Sequence, residues 1–213
     1  MQPTTLIGIG VGILLGLVAM SVAWRYLARV GNLPCPTWLA WMLELKFMER
    51  HGGQSTTIDA LDLAPGMRVV DVGCGPGRLT FRAADLVGPG GEVVALDIQP
   101  RMLERLNKRI HERGVENVKP ILAGAGDGNL PADYFDRAFL VTVLGEIPDR
   151  ERALREIHHA LKDDGMLVIT EIFPDPHYQR VGKLRELAGK TGFEFATLRA
   201  KTFSYTAQLR KKG

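Results

Sequence analysis

The stretch that carries the most chemistry is VVDVGCGPG, residues 69–77. An apolar run contains Asp71 and gives way to Gly73, Cys74, Gly75 and Gly77. Glycines at a strand-to-helix turn let a ligand approach the main chain closely and leave helix N–H groups available. A dinucleotide-binding loop would read G-x-G-x-x-G, with glycine at 78, but that residue is Arg78. A phosphate-gripping loop would need G-K-S/T, which is absent. What stands here is D-x-G-x-G-x-G. A carboxylate just before the glycines repels a pyrophosphate and suits a ligand with a cationic amino group. A second acid, Asp97, closes the next apolar run and is placed to accept hydrogen bonds from ribose hydroxyls. Cys74 reads as a packing residue of the loop, not a nucleophile. With Cys35 it makes two cysteines, too few for a disulfide framework or a four-ligand zinc site, and no metal is expected.

Further candidates lie beyond two later apolar runs. In Val143-Leu144-Gly145-Glu146-Ile147-Pro148 the acid is Glu146, which either does chemistry or makes a loop ion pair. In Glu171-Ile172-Phe173-Pro174-Asp175-Pro176-His177-Tyr178, His177 is the histidine placed for acid–base work near neutral pH, or else opens a helix. Tyr178 either orients a head group or packs. His158 and His159 fall on an outer, solvated helix face.

Alternating strands and helices position these residues. Strands are expected at 67–72, 92–97, 118–123, 135–143 and 166–171. Helices are expected at 55–63, 78–86, 100–113, 150–161 and 177–191, with Asp163-Asp164-Gly165 closing the fourth. Two consecutive strands, 193–200 and 203–210, end the chain. This order gives an α/β fold: a doubly wound, mostly parallel seven-stranded sheet with helices on both faces and one antiparallel member.

Residues 50–213 resemble the class I S-adenosylmethionine-dependent methyltransferases. The resemblance rests on VVDVGCGPG, on VVALDIQPRML, on NLPADYFD and on REIHHALKDDGMLVITE. It implies S-adenosylmethionine as cofactor, with Asp71 and the glycine loop holding its methionine part. It implies Asp97 on the ribose, and Ile98 and Met102 near the adenine. Either Asp127 or the backbone of Gly126 lines the adenine edge. Many relatives place histidine where Gly145 stands. The absence of an N/D-P-P-Y motif argues against base methylation of nucleic acid, and the basic stretches lack interleaved aromatics.

Charge and hydropathy complete the reading. A mean hydropathy near zero conceals a first 24 residues without Asp, Glu, Lys or Arg. Thr5 to Trp24, TLIGIGVGILLGLVAMSVAW, is long and apolar enough to span a bilayer as a helix. Arg25 and Arg29 follow, which puts the C-terminal side in the cytoplasm. The expected organisation is a transmembrane anchor over 1–30, an amphipathic interfacial helix within 31–53, and the methyltransferase domain over 54–213. Gly8, Gly12 and Gly16 share one helix face suited to pairing two copies. Residues 178–213 carry nine Lys/Arg against two Glu, whereas 51–177 net −6. Basic ends around an acidic middle suit an anionic membrane surface, or simply a solvated face. A tethered enzyme of this kind resembles quinone and phospholipid methyltransferases. The expected acceptor is a lipid, either a phospholipid amine or a prenylated quinone precursor. The alternatives are a small hydrophobic thiol or xenobiotic acceptor, and a non-catalytic cofactor-binding membrane scaffold.

Overall fold

A computed structural model describes residues 54–173 and 175–212, together with Gly16, Ala19, Val22, Ala23, Tyr26 and Leu27, which are helical. The expected span over 5–24 lies largely outside the described residues. So do the amphipathic helix at 36–50, and Gly8 and Gly12. Gly16 is exposed. Among the described residues no helix is long and apolar enough to cross a membrane.

The chain runs α1 (Gln54–Leu61), β1 (Arg68–Val72), α2 (Thr80–Val87), β2 (Glu92–Asp97), α3 (Pro100–Arg113), β3 (Val118–Leu122) and β4 (Phe135–Val141). It continues α4 (Arg150–Ala160), β5 (Leu161–Ile172), α5 (Val181–Lys190), β6 (Phe193–Lys201) and β7 (Ser204–Lys211). Seven strands form one sheet in the order β3-β2-β1-β4-β5-β7-β6. β7 is antiparallel to both β5 and β6, and the other pairings are parallel. Strands buried on both faces need continuous apolar runs, and RVVDV and EVVALD supply them. Alternation then divides the core into two layers. Val70, Leu140, Leu154 and Leu184 pack on the α4–α5 side. Val69, Phe81, Leu106 and Phe139 pack on the α1–α2–α3 side. Each such fully buried side chain contributes roughly 2 kcal/mol.

The sheet order reverses between β1 and β4, so their C-terminal ends diverge and leave a crevice. α1 is pinned across the sheet by a chain of hydroxyls. Thr57 Oγ1 lies 2.7 Å from Thr170 Oγ1, which lies 2.9 Å from Thr206 Oγ1.

Three expectations are corrected. First, β5 starts at Leu161, not Met166. Leu161 already pairs with Phe135 and the Tyr134 N–H donates to Ala160 O, so Asp163-Asp164-Gly165 bulges out of a strand instead of closing a helix. Second, α5 starts at Val181, and His177 does not open it. The Asp175 side chain accepts the His177 N–H at 2.7 Å, and Tyr178 N–H bonds to Asp175 O. This turn, with Pro176 inside it, replaces a first helical turn. Third, His158 is half-buried. Its Nε2 lies 3.1 Å from Gly192 O and its ring stands edge-on to Phe193, tying α4 to the start of β6. Burial moves its pKa below the usual histidine value. His159 is exposed, as expected.

Candidate active site

The glycine loop is forced into shape by its neighbours. Gly73, Gly75 and Gly77 all have positive φ. A Cβ at Gly73 would collide with Val143, and one at Gly77 with Leu106, so both glycines are required by packing as well as by φ. Gly75 differs: a Cβ there would meet nothing within 4 Å, because the residue faces open space above the loop.

That space is a cavity of about 400 Å³ over the C-terminal ends of β1, β2 and β4. Gly73, Cys74, Gly75, Asp97, Ile98, Met102, Asp127 and Glu146 all line it. Asp97 is fixed by two backbone donors: Gly75 N–H to Oδ2 at 2.8 Å and Gln99 N–H to Oδ1 at 2.8 Å. Burial nevertheless moves its pKa above the usual carboxylate value. Ile98 is 64% exposed, and Met102 is buried beside it. Together they offer an apolar end to the cavity, away from the glycine loop.

Asp71 and Gly77 are absent from the cavity lining and lie beneath it. Asp71 is buried and accepts the Thr80 hydroxyl at 2.6 Å. Burial is the main reason its pKa rises to about 7, with the neighbouring Asp97 adding to it. The Cys74 thiol is also pushed up by burial, which keeps it protonated and unreactive. Between the two adenine-edge alternatives, Gly126 turns away. Its N–H donates to Glu156 Oε2, while Leu130 N–H donates to Oε1 at 3.1 Å. Asp127 faces the cavity, and its Oδ2 accepts Gly124 N–H at 2.9 Å.

His177 and Tyr178 belong to a second cavity of about 550 Å³, also lined by Arg150, Phe173, Arg180 and Lys183. The two cavities meet at Gly145–Glu146 and Asp175–His177. A Cβ at 145 would overlap the His177 carbonyl oxygen. The backbone of 177 thus occupies the space over position 145. Arg150 holds this loop, donating to Leu144 O at 3.1 Å and Gly145 O at 2.7 Å.

Three residues escaped the sequence reading. Thr142 lines the first cavity with φ 57, a left-handed conformation that a β-branched residue rarely adopts. No motif signals it. Glu156 ties down the 126–130 loop, and an acid on the inner face of α4 was its only trace. Glu171, the penultimate residue of β5, is 1% exposed. Its Oε2 accepts Gln179 N–H at 3.1 Å, and its Oε1 is buried without a hydrogen-bond partner. Burial raises its pKa to about 8, with Asp175 and Glu146 adding to the rise. An acid closing a strand, in VITE, was the available signal.

The donor set fits the cofactor the sequence implies. A main-chain cradle open at Gly75, a fixed carboxylate at Asp97 and an apolar wall at Ile98 and Met102 match an amino acid, a ribose and a base in order.

The family described as "Methyltransferase domain" matches residues 63–206. A ubiquinone/menaquinone biosynthesis C-methyltransferase of Shewanella sp. (strain W3-18-1) is 32% identical over 169 residues, covering 76% of this chain and 64% of the relative. The chain thus spans under two thirds of that relative's length. Its namesake in Shewanella oneidensis is 35% identical over 132 residues, covering 62% of this chain and 52% of the relative. A SAM-dependent methyltransferase from Aquifex aeolicus superposes with TM-score 0.77 at 18% identity, over 83% of this chain and 98% of that one. The chain belongs to the methyltransferase domain family and is a class I S-adenosylmethionine-dependent methyltransferase.

Proposed function

We propose that this methyltransferase is tethered to a membrane and acts on a lipid-soluble acceptor of the prenylated quinone-precursor class. The observation that carries the acceptor class is the 32% identity, over 76% of this chain, to a ubiquinone/menaquinone biosynthesis C-methyltransferase. The charge-free run from Thr5 to Trp24 supports the tether, and Arg25 with Arg29 supports a catalytic domain on the cytoplasmic side. Pairing of two copies through Gly8, Gly12 and Gly16 belongs to the same reading. A phospholipid amine is the second reading, favoured by Arg180 and Lys183 beside the second cavity, where they would oppose a phosphate.

The cofactor, when bound, supplies an electrophilic methyl group on a sulfonium. The protein has to align the acceptor and exclude water. The glycine loop, Asp71, Asp97, Ile98, Met102 and the 126–127 turn form the cofactor side, with Asp127 at its rim. Methylation at a ring carbon exchanges a C–H bond for a C–C bond, so a proton must leave. Glu146, on the lining of the first cavity, takes that proton in this reading. Tyr178, edge-on to both Phe173 and Tyr205, gives the second cavity an aromatic wall for a flat acceptor ring. His177 closes the boundary between the cavities.

The test supplies methyl-labelled cofactor to native membranes containing the full chain. Label in a quinone-precursor species of the organic extract supports the proposal, and label in phospholipid supports the second reading. Label only in thiol or other water-soluble products overturns both. Bound cofactor without any label identifies a scaffold.

A further inference from the structure

The end of the sheet nearest the second cavity carries an unusual surface. Phe203, in the turn between β6 and β7, is 64% exposed, and Phe173, just past β5, is 47% exposed. Their rings stack with centroids 6.5 Å apart and planes inclined by 18°. A backbone bond from Phe173 N–H to Phe203 O, 2.7 Å, locks the two segments together. Two large aromatics held rigidly in solvent form an apolar tip that nothing among the described residues covers.

Cations flank this tip on both sides of the sheet. Arg199 pairs with Thr206, whose hydroxyl bonds toward α1, so Arg199 and, two residues on, Lys201 lie on the α1 side. Arg180 and Lys183 lie on the α5 side, beside the second cavity. All four are exposed. The acids nearby are already occupied: Glu186 bonds both Lys183 and Lys190, and Asp175 caps its own turn. Residues 195–213 contain no Asp or Glu. The β6–β7 side of the tip therefore carries net positive charge.

The tip also lies where residues 1–53 join the domain. Lys201 Nζ bonds Thr56 Oγ1 at 2.7 Å, which places the β6–β7 turn beside the first turn of α1.

From these observations we infer that Phe173 and Phe203, ringed by Arg180, Lys183, Arg199 and Lys201, form a docking surface for an anionic lipid bilayer. Aromatic side chains enter the headgroup region while Lys and Arg contact anionic headgroups. The chain entering at Gln54 is on the same side, so a tethered domain can lay this face on the membrane without crossing over itself. Since Phe173 and Tyr178 also line the second cavity, docking would set that cavity's mouth on the lipid phase. The inference deepens the lipid-acceptor proposal and rests on it for its purpose, though not for its test.

The full chain carrying Phe203→Trp is reconstituted in lipid nanodiscs of phosphatidylcholine, with or without about 30% phosphatidylglycerol as the anionic lipid. Brominated acyl chains serve as quenchers, and the unsubstituted chain gives the background of Trp24, Trp38 and Trp41. The expected result is an added blue-shifted, quenched component in the anionic discs, weakened at least about fivefold by Arg199→Glu with Lys201→Glu. An added component that stays red-shifted and unquenched overturns the docking surface. Equal quenching in both lipid compositions overturns the anionic assignment. Quenching without labelled lipid product leaves docking standing and refutes the acceptor proposal, whereas labelled lipid without quenching refutes docking alone. Because Phe203 is mostly exposed, the substitution leaves the core intact, and circular dichroism of the variant checks this.

Discussion

Glu171→Gln isolates one buried proton and gives a sign that can be read directly. In the folded chain the Glu171 carboxyl has a pKa of about 8, raised from an ordinary 4.5 chiefly by burial. A carboxyl whose folded value is raised contributes stability that is fully present below pH 4.5. That stability is lost as the pH climbs through about 8. At about 1.4 kcal/mol per pKa unit, the displacement corresponds to roughly 5 kcal/mol above pH 8 and roughly 3 kcal/mol at pH 7. Local opening of residues 173–180 would let water reach the carboxylate and keeps the observed loss below that ceiling. Glutamine removes the titration but keeps an acceptor for Gln179 N–H, and its amide N–H₂ inherits the unpartnered site of Oε1. The unpaired amide costs about 1 kcal/mol at every pH. The informative quantity is therefore the change in the variant-minus-parent difference between pH 5 and pH 8. Urea unfolding of the full chain in detergent micelles, at both pH values, should show the variant gaining at least about 2 kcal/mol on its parent. A difference that is the same at both pH values would refute the reasoning, and so would one that favours the parent as pH rises.

Three further outcomes are expected. In the proposed role Asp71, with a pKa of about 7 without ligand, must ionise beneath the cavity to attract a cationic amino group above it, so cofactor affinity should fall about tenfold per unit as pH drops below 7. Calorimetry in two buffers of different ionisation enthalpy, near pH 6.5, should register proton release, and its absence counts against that role. Gly145→Ala should push the 177 backbone away and lower turnover about a hundredfold while cofactor affinity changes little, measured by single-turnover assay and calorimetry. Thr170→Val breaks the hydroxyl chain from Thr57 to Thr206 and should cost about 2 kcal/mol, read as a lower urea midpoint with an unchanged slope.

The sequence was most legible where one physical demand dominates. Strands buried on both faces need unbroken apolar runs, so β1, β2 and β4 were recognisable, and α3 is bounded as expected by Pro100 and Gly114. The glycine loop was legible because positive φ selects glycine three times in five residues, with close packing adding to it at Gly73 and Gly77. Competing local bonds hid the rest. The helix anticipated at His177 gave way to a turn capped by Asp175, a contest periodicity does not register. Asp71 and Asp97 look alike in sequence, but one sits under the cavity and the other on its lining, which depends on the Thr80 hydroxyl and the Gly75 and Gln99 N–H groups. Thr142 and Glu171 matter through φ and burial, which no residue type announces.

The boundary between the two cavities is built from backbone: Gly145 on one side and the His177 carbonyl on the other, with no room for a side chain between them. A partition of that kind has no knob. Reshaping either cavity by single substitutions is therefore left to the flanks, at Phe173, Tyr178 or Glu146, where side chains can be exchanged one at a time. A side chain at position 145 meets the His177 backbone and has to displace it before either cavity can change shape.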